Sequence, residues 1–299
     1  IWLSGPLLCW SAESVQRVQP PEWSRDVLDE FFEDAREQLV GERPASAAGG
    51  EQRPSVATPA SGEGEAEEAE FRWSLLIEAD TLTAEIKRIN NQLGTALRKS
   101  SSFQGGGNLL CRRDFGLLSV LFAVIRDFDK DVRWKRSARQ VQAECYQASN
   151  NCKSASAQSF AAAQNTHALL EDLFRGQAPA ATGTSEDEQL LIERPQLMQS
   201  MELSLKERLG PAVANSREFR RRSQQAVEQA QVLAVLAEMI QREGYEYADD
   251  DTFLDEARQL REAAAELSQA AKEKNYEAAR AAAGKVGQSC SRCHEGYRG

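Results

Sequence analysis

The chain has 299 residues, 41 per cent of them apolar, long enough for two domains that each bury a core. Its formal charge of −10, from 36 Lys plus Arg against 46 Asp plus Glu, argues against a nucleic-acid or anionic-membrane surface. No apolar run approaches the roughly 18 residues that cross a bilayer, so no transmembrane segment is expected.

Residues 1–19, opening IWLSGPLLCWSAES, resemble the tail of a secretion signal, a short apolar run followed by the small residues Ser11 and Ala12. Residues 20–41 read as a short amphipathic helix with Val27, Phe31, Phe32 and Leu39 available for docking. Residues 42–70, rich in Gly, Pro, Ser, Ala and Glu without periodicity, read as a flexible linker. Residues 71–176 then read as four helices. Leu75, Ala79, Leu82, Ile86, Ile89 and Leu93 recur at steps of three and four, one apolar stripe on a first helix. Gly105–Gly107 breaks the chain before CRRDFGLLSVLFAVIRDFD, a mostly buried helix. Two more helices are expected near 133–152 and 155–175, then a linker at 177–188 rich in small residues. Gly105–Gly107 lacks the Lys-Ser/Thr of a phosphate loop and reads as a turn.

Residues 189–299 repeat the plan. A first helix carries Met198, Met201, Leu205 and Leu209, and a second Val232, Leu236 and Ile240. A third carries Phe253, Ala257, Leu260, Ala264, Leu267 and Ala271, and a fourth Tyr276, Ala279, Ala283, Val286, Cys290, Cys293 and Tyr297. Such spacing suits antiparallel helices packed at shallow angles. Leu118–Leu121 parallels Leu233–Leu236 and Leu173–Gly176 parallels Gly296–Gly299, a weak internal repeat. The fold class expected is therefore all-α: two tandem antiparallel four-helix bundles with an N-terminal helical segment and flexible linkers.

The fourth helix of the second half ends in Cys290-Ser291-Arg292-Cys293-His294. Cys-x-x-Cys-His is the attachment signature of c-type haem, two thiols for the porphyrin vinyl groups and an adjacent imidazole for the iron. A three-residue step places both sulfurs on one helix face. A redox dithiol or half a zinc site would need further ligands, but there is no second Cys-x-x-Cys and His167 is the only other histidine. Aligned on the chain endings, Cys290, Cys293 and His294 fall opposite His167, Leu170 and Glu171, so the first half lacks the motif. Cys145 and Cys152 are too far apart on one helix to bridge each other, whereas either could pair with Cys111.

With this motif, residues 189–299 resemble the cytochrome c-prime family, the class II c-type cytochromes. Gly284, Val286, Gly287, Ser289, Cys290, Cys293, His294, Tyr297 and Arg298 agree with its closing pattern; residues 71–176 are a degenerate, haem-less echo. The resemblance implies one covalent haem c slotted between the helices, with Cys290 and Cys293 as thioether anchors and His294 as proximal iron ligand. It implies that Arg298 lies near the haem edge, with an exposed terminal charge as the alternative; Tyr297 reads as packing. On the sixth side of the iron Met198, Met201, Glu202 and Leu205 compete. A thioether from Met198 or Met201 would close the iron, and Leu205 would leave it open to gas.

The function expected is that of an exported, periplasmic cytochrome carrying single electrons to and from a redox partner protein. The alternatives are a five-coordinate haem that binds NO or CO for scavenging or sensing, and a structural or interaction module. No acid–base pair accompanies the motif, so an enzyme is not indicated. A homodimer is an expectation from the family alone.

Overall fold

A computed structural model of the chain describes residues 71–177 and 192–297. The expected signal remnant, docking helix and first linker, almost all of the second linker, Cys9 and Arg298 lie outside the described residues.

The described residues form eight principal helices and no strand. Helix α1 (Ala79–Ala96) buries Leu82, Ile86, Ile89 and Leu93 completely, as the stripe requires. Leu75 does not belong to that stripe. It lies in the 3-10 turn Trp73–Leu75 ahead of α1 and is 68 per cent exposed, because the tighter turn rotates it away and buries Trp73 instead. The triple glycine forms a kinked turn in which Gly106 has φ 109°, a conformation only glycine adopts without strain. It leads into α2 (Asn108–Arg126), buried over most of its length. Helix α3 (Ala138–Asn151) starts five residues later than expected, since Trp134 takes a left-handed conformation at φ 66° before a 3-10 turn at Lys135–Ser137. Helix α4 (Ala157–Phe174) is capped by Ser156, whose Oγ accepts from the Ser159 amide at 3.0 Å.

In the second half, α5 (Arg194–Leu203) runs into a π-helical turn at Ser204–Leu209 and a final turn at Gly210–Val213. Pro211 accounts for the irregularity: it has no N–H for the carbonyl four residues back, and its ring crowds that carbonyl. The Gly210 amide bonds five residues back, to Leu205. Helix α6 (Ser216–Met239) starts well before its apolar stripe, capped by Asn215 Oδ1, and kinks at Arg222. In the register that pairs Leu118 with Leu233, Arg222 stands opposite Gly107, so both halves break the same helix at the same place. Helices α7 (Asp251–Lys272) and α8 (Tyr276–Tyr297) complete the chain; the expected α7 stripe from Phe253 to Ala271 is buried throughout.

Each half closes on itself. Helix α1 packs on α2 and α4, and α3 on α2 and α4; α6 packs on α5 and α7, and α8 on α7 and the Gly210–Val213 turn. The fold is thus all-α, two four-helix arrangements. They abut through α2 against α5 and α1 against α6, and their apolar residues form one continuous core. Gly116 permits this approach: a Cβ there would lie 3.1 Å from Gln196 Nε2 and 3.2 Å from Ile192 Cγ2. Gln196, buried on α5, donates to the Arg112 carbonyl at 3.1 Å and Ser149 Oγ at 2.8 Å. Glu193 bridges the halves too, meeting Arg112 at 2.5 Å and Lys153 at 2.7 Å.

Four phenylalanines, Phe103, Phe115, Phe122 and Phe128, are fully buried in the first half, against Phe219 and Phe253 in the second. Cys111, Cys145 and Cys152 are buried free thiols, so neither bridge left open by the sequence is present. His167 packs against Gly94 with Nε2 3.2 Å from the Asn90 carbonyl oxygen, an ordinary satisfied position.

Candidate functional site

A cavity of about 700 Å³ opens in the second half between α5, α6, α7 and α8, within the range of cofactor sites. Cys290, Cys293, His294 and Tyr297 from α8 line it, and Met198, Met201 and Leu205 from α5 line it as well. Eight of the nine residues named from the sequence, Glu202 included, therefore share one cavity; Arg298 is outside the described residues. Leu233, Ile240, Phe253, Ala257 and Leu260 supply apolar walls, and Lys206, Glu202 and Gln199 stand among its polar lining.

Helical spacing explains the α8 wall. Cys290 and Cys293, three apart, are both half-buried, whereas His294 is exposed. Burial pushes both thiols up, and the Glu256 carboxylate adds to the effect at Cys293. Arg292, inside the motif, ties α8 to α7: its Nε is 3.1 Å from Glu256 Oε1 and its Nη2 donates to Gln259 at 2.5 Å. The α5 wall is less regular. Met201 is buried at 7 per cent exposure, while Met198 and Leu205 are half-buried. Glu202 is exposed and pairs with Lys206 at 2.6 Å. The π turn shifts the register after Leu203, so that Leu205 lines the cavity and Leu209 enters the core.

Tyr297 is fastened from three sides. Its ring lies 5.0 Å from Tyr247 and 5.3 Å from Phe253, its hydroxyl donates to Asp250 Oδ1 at 2.8 Å, and its carbonyl accepts from Arg194 Nη1 at 3.2 Å. Asp250 also caps α7, accepting from the Thr252 and Phe253 amides at 2.9 and 3.0 Å. Arg194 stacks over Tyr247 at 4.8 Å and pairs with Glu246 at 2.8 Å. Arg194 and Glu256 are among the cavity residues that the sequence did not single out. Arg194 precedes Pro195 at the start of a helix, which marks the boundary but not a role. Glu256 flanks the α7 stripe beside Ala257, where a carboxylate normally reads as solvated.

Thiols and an imidazole on one wall, facing thioethers and aliphatic side chains, can hold a flat, largely apolar group with a metal at its centre. Residues 189–298 match the family model described as Cytochrome C'. The match covers a little over a third of the chain and coincides with the second half. Neither a curated protein nor a solved structure matches the chain. The Cytochrome C' match implies a haem cofactor for this segment, and the cavity residues fit one. Among the described residues, no three His, Cys, Asp or Glu side chains cluster to hold a metal ion by themselves, and no helix is long and apolar enough to cross a membrane.

Proposed function

We propose that the second half carries one covalent haem c and that the protein transfers single electrons to and from a redox partner, outside the cytoplasm. The observation that carries this reading is the convergence of Cys290, Cys293 and His294 on one apolar cavity inside the Cytochrome C' match. Cys290 and Cys293 would anchor the group as thioethers, His294 would ligate the iron, and Tyr297, held by Asp250 and Arg194, would fix the end of α8. Bound there, the haem supplies reversible one-electron chemistry. The half-buried thiols and exposed His294 favour transfer over enclosure, since a redox partner needs an accessible edge.

Leu205 favours a second reading. A half-buried aliphatic side chain on the wall that includes Met198 and Met201 offers no ligand, and would leave the iron open to NO or CO. The test is the optical spectrum of the matured ferrous protein before and after CO. Sharp low-spin bands indifferent to CO would support a closed electron carrier. A high-spin spectrum that shifts with CO would move gas binding ahead. Protein without covalent haem would sink both readings and leave an interaction module; a C290A/C293A variant that retains haem through denaturing extraction would overturn Cys290 and Cys293 as its anchors.

A further inference from the structure

The π turn Ser204–Leu209 carries Leu205 and Lys206 on the cavity side. On its other side, both ends are tied down by polar groups. Ser204 Oγ donates to Gln229 Oε1 at 2.7 Å, and the Arg208 carbonyl accepts from Gln225 Nε2 at 3.0 Å. Both ties lead onward to one residue of the other half. Gln229 Nε2 donates to Glu85 Oε2 at 3.2 Å, and Arg208 Nη1 lies 3.6 Å from the same oxygen.

Glu85 sits on α1 with a side chain only 4 per cent exposed, held by a two-point contact with Arg88 at 2.6 and 2.9 Å. Asp114, itself paired with Arg113 at 2.7 Å, is a further charged neighbour. Burial, and then the like charge of Arg88, push Arg208 below its ordinary value, so the guanidinium needs the carboxylate beside it. An irregular helical turn whose hydrogen bonds are out of register has more than one arrangement open to it. Fixed buried partners select one.

We propose that Glu85 is a positioning residue for the cavity: from the motif-lacking half it clamps the π turn through Gln229 and Arg208, and so sets where Leu205 and Lys206 stand. This assigns the first half a function, tuning access and ligation on the side of the iron opposite His294, and it rests on the haem reading above.

The test uses the full chain matured with haem, with CO as the probe. Wild type is compared with Glu85→Leu, which removes the contacts with both Gln229 and Arg208, and with Glu85→Gln, which keeps an acceptor for Gln229 but not the charge facing Arg208. Ser204→Ala cuts one tie without touching a charge and is informative even if the Glu85 variants fail to fold. Ser119→Ala is the control: it removes a buried hydrogen bond to the Gln142 carbonyl, 3.1 Å long, within the first half and away from the turn. Glu85→Leu should shift the ferrous spectrum or change the CO association rate about 2- to 30-fold, with Glu85→Gln and Ser204→Ala intermediate and the control unchanged. Wild-type spectra and kinetics in Glu85→Leu and Ser204→Ala, or an equal shift in the control, would overturn the clamp. Should the wild type carry no haem, the function reading fails but the clamp remains measurable. Amide hydrogen exchange at 204–210 in the haem-free chain must then quicken in Ser204→Ala and not in the control; if it does not, the clamp is overturned as well.

Discussion

Trp134 and Tyr247 occupy equivalent places in the two halves. Each lies in the loop after the second helix of its half, each is left-handed, at φ 66° and 67°, and each stacks on the aromatic that closes that half, Phe174 at 5.1 Å and Tyr297 at 5.0 Å. Each also carries an arginine on its ring, Arg133 at 5.1 Å and Arg194 at 4.8 Å. Bulky residues avoid this backbone region, so the stacking must offset the strain. Trp134→Ala should therefore destabilise by about 2–3 kcal/mol, somewhat under the cost at a fully buried site, read as a lowered urea midpoint. A gain in stability would mean that the ring contributes no net packing, since alanine keeps the Cβ that makes a left-handed backbone unfavourable.

Gly116→Ala tests the contact between halves. The new Cβ would press on Gln196 and Ile192, and Gln196 is held by two hydrogen bonds to the first half. We expect a loss of about 1–3 kcal/mol by chemical denaturation, against the small gain an unconstrained helical glycine would show.

Asp250 gives the site an acid-sensitive end. The Phe253 amide, then the Tyr297 hydroxyl, hold its carboxyl below the ordinary range. A depressed carboxylate contributes stability that is present above its unfolded value, near pH ~4, and lost as pH falls through the lower folded value. Asp250→Asn keeps an acceptor for the amides but does not titrate there. Its stability should fall less steeply below pH ~4 than that of wild type; identical slopes would remove Asp250 from the acid response.

The thiols should separate by reactivity. Burial pushes Cys111 and Cys152 up to about 12, with Cys152 adding to the effect at Cys111, and raises Cys145 further. At pH ~8 these remain neutral thiols, which are poor nucleophiles. In the folded, haem-free protein iodoacetamide should label Cys290 and Cys293 before Cys111, Cys145 and Cys152, which react only on unfolding, as read by mass spectrometry of digests. Early labelling of Cys145 would contradict its burial.

Met201→Leu should leave the spectrum of the matured protein unchanged and cost less than about 1.5 kcal/mol, because a buried methionine in packing contact tolerates a swap that conserves volume. Loss of low-spin bands on this substitution, or on Met198→Leu, would identify that thioether as an iron ligand instead.

Much of this protein was determined locally and was legible in the sequence. Apolar residues at steps of three and four can be buried together only on a helix, so the stripes of α1, α7 and α8 were readable, and the three-residue step from Cys290 to Cys293 put both thiols on one wall. The start of α3 was misplaced because nothing in the residues around Trp134 announces a left-handed backbone, which neighbouring rings stabilise from a distance. Only the tertiary structure decided the wall opposite the motif. Pro211 accounts for the irregular end of α5, but the placing of Leu205 against Leu209 depends on where the extra residue of the π turn is absorbed. That turn is held by Gln225 and Gln229 on the next helix and, through Gln229 and Arg208, by Glu85, which is far away in the chain and adjacent only once the halves pack. Periodicity reports which face of a helix is apolar; which of several apolar residues meets a cavity is settled by partners on other helices, and those enter no local pattern.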